Sequence, residues 1–195
     1  MYMRFYKFLI KSKKYHKNTE GLIKLLKKYN PAEIFIKIFF QGIKPSHKTS
    51  IIIQHKSLGY IAKFSEDKIL MDFKNNPKYL WLCIAHETAH ILFQTYMWEK
   101  TKIYKILKRN YPKKMIYSVD QACAILLQAY GENILKIRPL EWSQWQFTFT
   151  YMKVDKIGKI LWPHFLKYIK QKKRPNIFNW LLILERSGMI NKSEI

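Results

Sequence analysis

Apolar residues in this chain recur with one period in some stretches and another elsewhere, and the changes of period mark its elements. EGLIKLLKKY spaces its apolar side chains as a helix does, and predicts a basic amphipathic helix over about residues 18 to 29, closed by Asn30-Pro31. The apolar run AEIFIKIFFQGIKP that follows fits helix or strand equally, because so short a run has no decisive period. From Thr49 the pattern turns to β. TSIIIQH is β-branched, GYIAKF follows a turn at Ser57-Leu58-Gly59, and ILMDF comes after Ser65-Glu66-Asp67-Lys68, which predicts three short strands in a meander.

After Asn75-Asn76-Pro77 the period is helical again, from about Lys78 to Trp98, with Pro77 suited to a first turn whose N–H groups have no partner. A basic connection, KTKIYKILKRNYPKK, leads to a second helix in SVDQACAILLQAYGENI, with Ser118 and Gln121 at capping-box spacing and Gly131 near its end. Residues 155 to 173 and 176 to 188 read as further helices, and between them and Gly131 the alternation of Trp142, Trp145, Phe147 and Phe149 suggests a half-buried strand or contact surface. The fold class expected is α+β: a small antiparallel or mixed sheet packed on one central helix, with additional N- and C-terminal helices. One domain over 1–195 is expected, with a basic segment at 1–48, a core at 49–135 and an aromatic, helical part at 136–195.

Composition changes this picture in one respect. The formal net charge is +23, from 36 Lys and Arg against 13 Asp and Glu. Such a charge suits an acidic partner or non-specific nucleic acid. Only Arg4, Arg109, Arg138, Arg174 and Arg186 are arginines, however, and the abundance of Lys, Ile, Asn, Tyr and Phe also follows from AT-rich codons. Two cysteines, Cys83 and Cys123, form no CxxC pair and no disulfide framework, which points to a reducing, cytoplasmic setting. The N-terminal apolar stretch is broken by Arg4, Lys7 and Lys11, unlike a secretory signal, and no window is long and apolar enough for a transmembrane helix.

The chemistry concentrates in WLCIAHETAHILFQ, residues 81 to 94. Four residues apart on a helix, His86 and His90 lie one turn above each other and can aim both rings at one point. Zinc requires that arrangement for two of its protein ligands. Glu87 lies about 100° round the helix from His86, near enough to take a proton from water held there. Cys83, one turn before His86, reads as a small buried thiol. His16, His47 and His55 have no ligand partner at useful spacing.

HETAH on a helix that follows short strands resembles the zincin superfamily of zinc metallopeptidases over roughly residues 49 to 132. The resemblance implies that His86 and His90 bind Zn2+ and that Glu87 polarises a zinc-bound water for attack on a peptide carbonyl. The metzincin branch would need Gly at 93 and His at 96, where this chain has Phe93 and Tyr96. The gluzincin branch takes its third ligand from a carboxylate on the following helix, and VDQACAILLQ resembles that helix with Asp120 where Glu is usual. Asp120 is the leading candidate, Glu132 the next, and a site with no third carboxylate is the remaining case. Gln121, beside Asp120, would place an amide on the metal if the register differs by one residue. Tyr117, Tyr130 and His164 could each donate to a transition-state oxyanion.

The function expected is therefore a zinc-dependent metallopeptidase acting on a peptide or protein substrate, with ILMDF as an edge for an extended chain to pair with. The alternative is a catalytically inactive zincin-like scaffold that binds nucleic acid or protein through lysine-rich faces at 4–28 and 153–174.

Overall fold

A computed structural model describes the backbone of residues 6–10, 16–41, 49–54, 62–65, 68–72, 76–95, 101–137 and 154–190, with side chains at 20–41, 69, 76–93, 101–137 and 154–190. The proposed Trp142 to Phe149 strand, the Ser57 to Gly59 turn, His47 and His55 lie outside the described residues. The elements in order are β1 (Tyr6–Ile10), α1 (His16–Lys28), α2 (Pro31–Ile38), β2 (Thr49–Gln54), β3 (Ala62–Ser65), β4 (Lys68–Asp72), α3 (Pro77–Thr95), α4 (Lys102–Asn110), α5 (Lys113–Ile134), α6 (Val154–Lys170) and α7 (Ile177–Arg186).

The α+β expectation is corrected. Of the residues whose side chains are described, 80% are helical. The described core is built from helices and their junctions, with Ile69 of β4 buried beside them. The physical reason lies in α3 and α5, which bury apolar side chains on nearly every side. Such helices can be covered only by other large elements. α5 packs on α3 and α6, while α1 and α2 close on α3 and α7 lies against α4.

The meander expected over 49–72 is corrected as well. The strand backbones pair in the order β1-β2-β4-β3, with β1 parallel to β2, β2 parallel to β4 and β3 antiparallel to β4. β3 therefore turns back on the far side of β4 and never meets β2. It follows that β4, which carries ILMD, is an interior strand and offers no edge to a substrate.

Local chemistry sets the helix ends that matter here. Asn76 Oδ1 accepts from the Tyr79 N–H at 3.0 Å, and Pro77 follows as the first helical residue, so α3 starts where its sequence predicts. Asn30 caps α2 in the same way, accepting from Ala32 N–H at 3.0 Å. The basic connection is helical: Thr101 Oγ1 accepts from the Tyr104 N–H at 3.2 Å, and α4 buries Ile103 and Leu107 beneath its lysines. α5 begins at Lys113, behind Pro112, and not at Ser118. Ser118 is thus interior, its hydroxyl donating back to the Lys114 carbonyl at 2.9 Å, and no capping box forms.

One close approach locks α3 to α5. A Cβ on Gly131 would stand 2.7 Å from Trp81 Cζ3, so glycine is needed where α5 crosses that indole. Trp81 Nε1 in turn donates to the Tyr29 carbonyl at 2.6 Å, fastening the end of α1 to the same ring.

Candidate metal centre

From Leu80 to Phe93 every residue of α3 is buried except Cys83, His86 and Glu87. These three lie at helical spacings of three and four, so they form one half-open strip on an otherwise enclosed helix. Tyr79 extends the strip by one turn. His86 and Glu87 of HETAH thus lie on the half-open strip, and His90 is buried beneath them, 1% exposed.

The two imidazoles meet at their Nε2 atoms, 3.1 Å apart, with ring planes at 78°. Nitrogens that share one zinc at about 2.0–2.1 Å are necessarily on the order of 3–3.5 Å from each other, so this separation fits a common ion. Behind each ring, Nδ1 has an acceptor on α5. His86 Nδ1 is 3.0 Å from Gln128 Oε1, and His90 Nδ1 is 3.2 Å from Asp120 Oδ2. An Nδ1–H donated to an oxygen leaves the Nε2 lone pair for a metal and fixes the ring's angle. The tautomers follow from these partners.

The protonation of the pair is divided by its surroundings. Burial, with His90 adding, pushes the His86 pKa down to about 3, against smaller upward contributions from Gln128 and Gln121. Burial also pulls on His90, but the charge and hydrogen bond of Asp120 outweigh it, helped by Glu87 and Gln121, and its pKa is raised. Of the two, His90 is the one favoured to carry a proton, with His86 favoured as neutral. Burial raises the Glu87 carboxyl, His90 lowers it and Asp120 raises it again, with a net upward shift. A carboxylate moved toward neutrality is better matched to accepting a proton from water.

Asp120 is 8% exposed, and its Oδ1 is buried with no hydrogen-bond partner. It lies well inside α5, so the favourable first-turn position that its neighbours suggest does not account for it. It stands on the Nδ1 side of His90, away from His86. Glu132, 3% exposed, lies one turn beyond Gln128 on α5. Among the described residues, no three His, Cys, Asp or Glu side chains come together as a metal-holding group. Of the three expected oxyanion donors, Tyr117 is the one joined to this seam, its hydroxyl oxygen accepting from Gln121 Nε2 at 3.0 Å. Tyr130 packs edge-on against Phe39 at 5.1 Å, and His164 lies on α6.

Gln128 was not anticipated. Its signal was nevertheless present: Asp120, Gln128 and Glu132 fall at multiples of four residues along an otherwise apolar helix, which puts polar groups in one buried stripe. Comparisons with protein-family models, with curated proteins and with solved structures return no match to this chain. No described helix is long and apolar enough to cross a membrane.

Proposed function

We propose that this chain is a zinc-dependent hydrolase of the metallopeptidase type, resembling the zincins. His86 and His90 hold the ion through Nε2, and Glu87 handles the proton of the attacking water. The observation that carries the reading is the convergence of the two Nε2 atoms at 3.1 Å while both Nδ1 atoms face acceptors on α5. A structural pair of histidines has no need of that division of labour.

Bound zinc supplies Lewis acidity, which polarises a carbonyl and makes water easier to deprotonate. The rest belongs to the side chains. Glu87, on the half-open strip, accepts the proton at its carboxylate and returns it to the departing amine; its raised pKa makes it the stronger base for the first step. Asp120 and Gln128 keep the rings from turning. Enclosure of α3 on its other faces leaves the strip of Cys83, His86 and Glu87 as the approach for a substrate.

The test pairs metal content with cleavage of a mixed peptide library. Wild type is expected to hold zinc and to cleave in a chelator-sensitive manner. Glu87→Gln is expected to keep the zinc and lose about 10²–10⁴-fold in rate. Cleavage that survives Glu87→Gln, or a wild-type chain that takes up no zinc, would overturn the proposal.

A second reading has its own observation. Lys102, Lys105, Lys108, Arg109, Lys113 and Lys114 are all exposed on α4 and the start of α5, with no acid among residues 101 to 119. A surface of this kind favours an anionic partner, and binding to DNA or RNA that falls steeply with salt would support it.

A further inference from the structure

α3 and α5 run in opposite directions: Trp81 meets Gly131, His86 meets Gln128 and His90 meets Asp120, so numbers rise along one helix as they fall along the other. Past His90 the seam therefore leads toward the start of α5. Lys113, Tyr117, Asp120, Ala124, Gln128 and Gly131 succeed one another at steps of three and four residues, which is one stripe of a helix. Asp120, Gln128 and Gly131 meet α3, whereas Tyr117, 47% exposed, and Lys113 carry the stripe out to the surface. Lys114 is exposed beside them.

The distribution of charge on these two helices is uneven. In a chain with 36 Lys and Arg, α3 holds only Lys78, in its first turn, and α5 holds only Lys113 and Lys114. By the antiparallel arrangement Lys78 lies at the far end of the seam from the other two. Glu87 and Asp120 flank the histidines between these ends, so the positive charge of α4 and the start of α5 stops where the seam begins. A polyanion with charge along its whole length would have to lay phosphates over those carboxylates. A peptide with one acidic side chain at the right place would not.

We propose that the site takes peptides carrying an aspartate or glutamate about three residues to one side of the scissile bond, received by Lys113 and Lys114 beyond Tyr117. The inference rests on the hydrolase reading above and deepens it by naming a substrate class. The interval follows from two rises: Lys113 stands seven residues, or about 10 Å, before Asp120 along α5, and an extended peptide advances about 3.3 Å per residue. Complementary charge at that distance selects among substrates without touching the reacting bond.

The experiment uses the full chain loaded with zinc and a peptide that it cleaves, with glutamate or glutamine placed in turn at several positions on each side of the cut bond. Wild type is expected to favour glutamate about 5- to 10-fold in kcat/KM, on one side only and mostly through KM, as one or two exposed ion pairs provide. The preference should shrink toward one at high salt. In Lys113→Gln/Lys114→Gln the ratio should fall to about 1–2, and Lys113→Glu/Lys114→Glu should favour glutamine. The control is Lys167→Gln/Lys170→Gln, which removes the same charge from exposed positions on α6. Phe39 lies 5.1 Å from Tyr130 and 6.1 Å from Tyr168, which puts that pair near the other end of α5. It should leave the ratio unchanged, and thermal unfolding should show every variant folded. Cleavage without an acidic preference, or a preference lost equally in both lysine-to-glutamine pairs, would overturn the assignment and leave the hydrolase reading standing. DNA or RNA binding that is lost in Lys113→Gln/Lys114→Gln while peptide selection is unaltered would overturn it as well. No zinc and no cleavage in wild type would overturn both.

Discussion

Between α2, α6 and α7 the chain buries rings against rings, whereas between α3 and α5 it buries imidazoles, amides and carboxylates. In the first seam Phe39 stacks on Phe165 at 5.8 Å and on Tyr168 at 6.1 Å, and Tyr168 lies 5.1 Å from Trp180. Tyr168 uses its polar handle, its hydroxyl donating to the Pro175 carbonyl at 2.8 Å. In the second seam Thr88, His90, Asp120, Gln121 and Gln128 are buried together, and Asp120 Oδ1 and Gln121 Oε1 have no hydrogen-bond partner. The aromatic seam therefore contributes stability. The polar seam gives stability up, and an ion that binds only the folded chain would restore it.

Phe39→Ala breaks this comparison most severely. Its ring is fully buried and touches four others, so denaturant unfolding should report a loss of about 3–5 kcal/mol. Zinc affinity of the folded fraction should be unchanged; a parallel loss of affinity would show that the seams are not separable. Gly131→Ala attacks the polar seam's packing without touching its polar groups. The added Cβ meets the Trp81 indole at 2.7 Å, and a cost of about 1–3 kcal/mol is expected by the same measurement. A neutral result would mean that α3 and α5 can separate slightly without harm.

The gentlest test is protonic. His90 has a raised pKa and so carries a proton that metal must displace, whereas His86, held at about 3, is already neutral. At about pH 5, two ordinary imidazoles would release nearly two protons on binding one ion. This pair should release close to one, read by calorimetry in two buffers of different ionisation heat. Below the raised pKa of His90, affinity should fall about tenfold, or about 1.4 kcal/mol, for each pH unit. Release near two protons would remove the division between the two histidines.

The half of the site that lies on α3 was legible in the sequence because its geometry is local. Pro77 marks the start, and the interval between His86 and His90 fixes their common face. The half on α5 was not. Which nitrogen of His90 meets Asp120 depends on how two helices pack, as does the meeting of Gln128 with His86, and neither appears in a spacing. The start of α5 was misplaced for a simpler reason: Lys113 and Lys114 continue the basic stretch, and Pro112 was the better signal. Strand pairing failed similarly. A meander is the nearest-neighbour guess, but β1 and β4 flank β2 in parallel across long intervals of chain.

The enclosure of α3 also decides the timescale on which its residues can move. With α1, α2 and α5 on it and β3 and β4 alongside, its amides should exchange hydrogen for deuterium only when the whole molecule opens, while α4 and α7 at the margin exchange through smaller openings. His86 and His90 thus remain a fixed pair through ordinary fluctuations. An ion held by them, as proposed, would come and go past Cys83 and Glu87 without any unfolding.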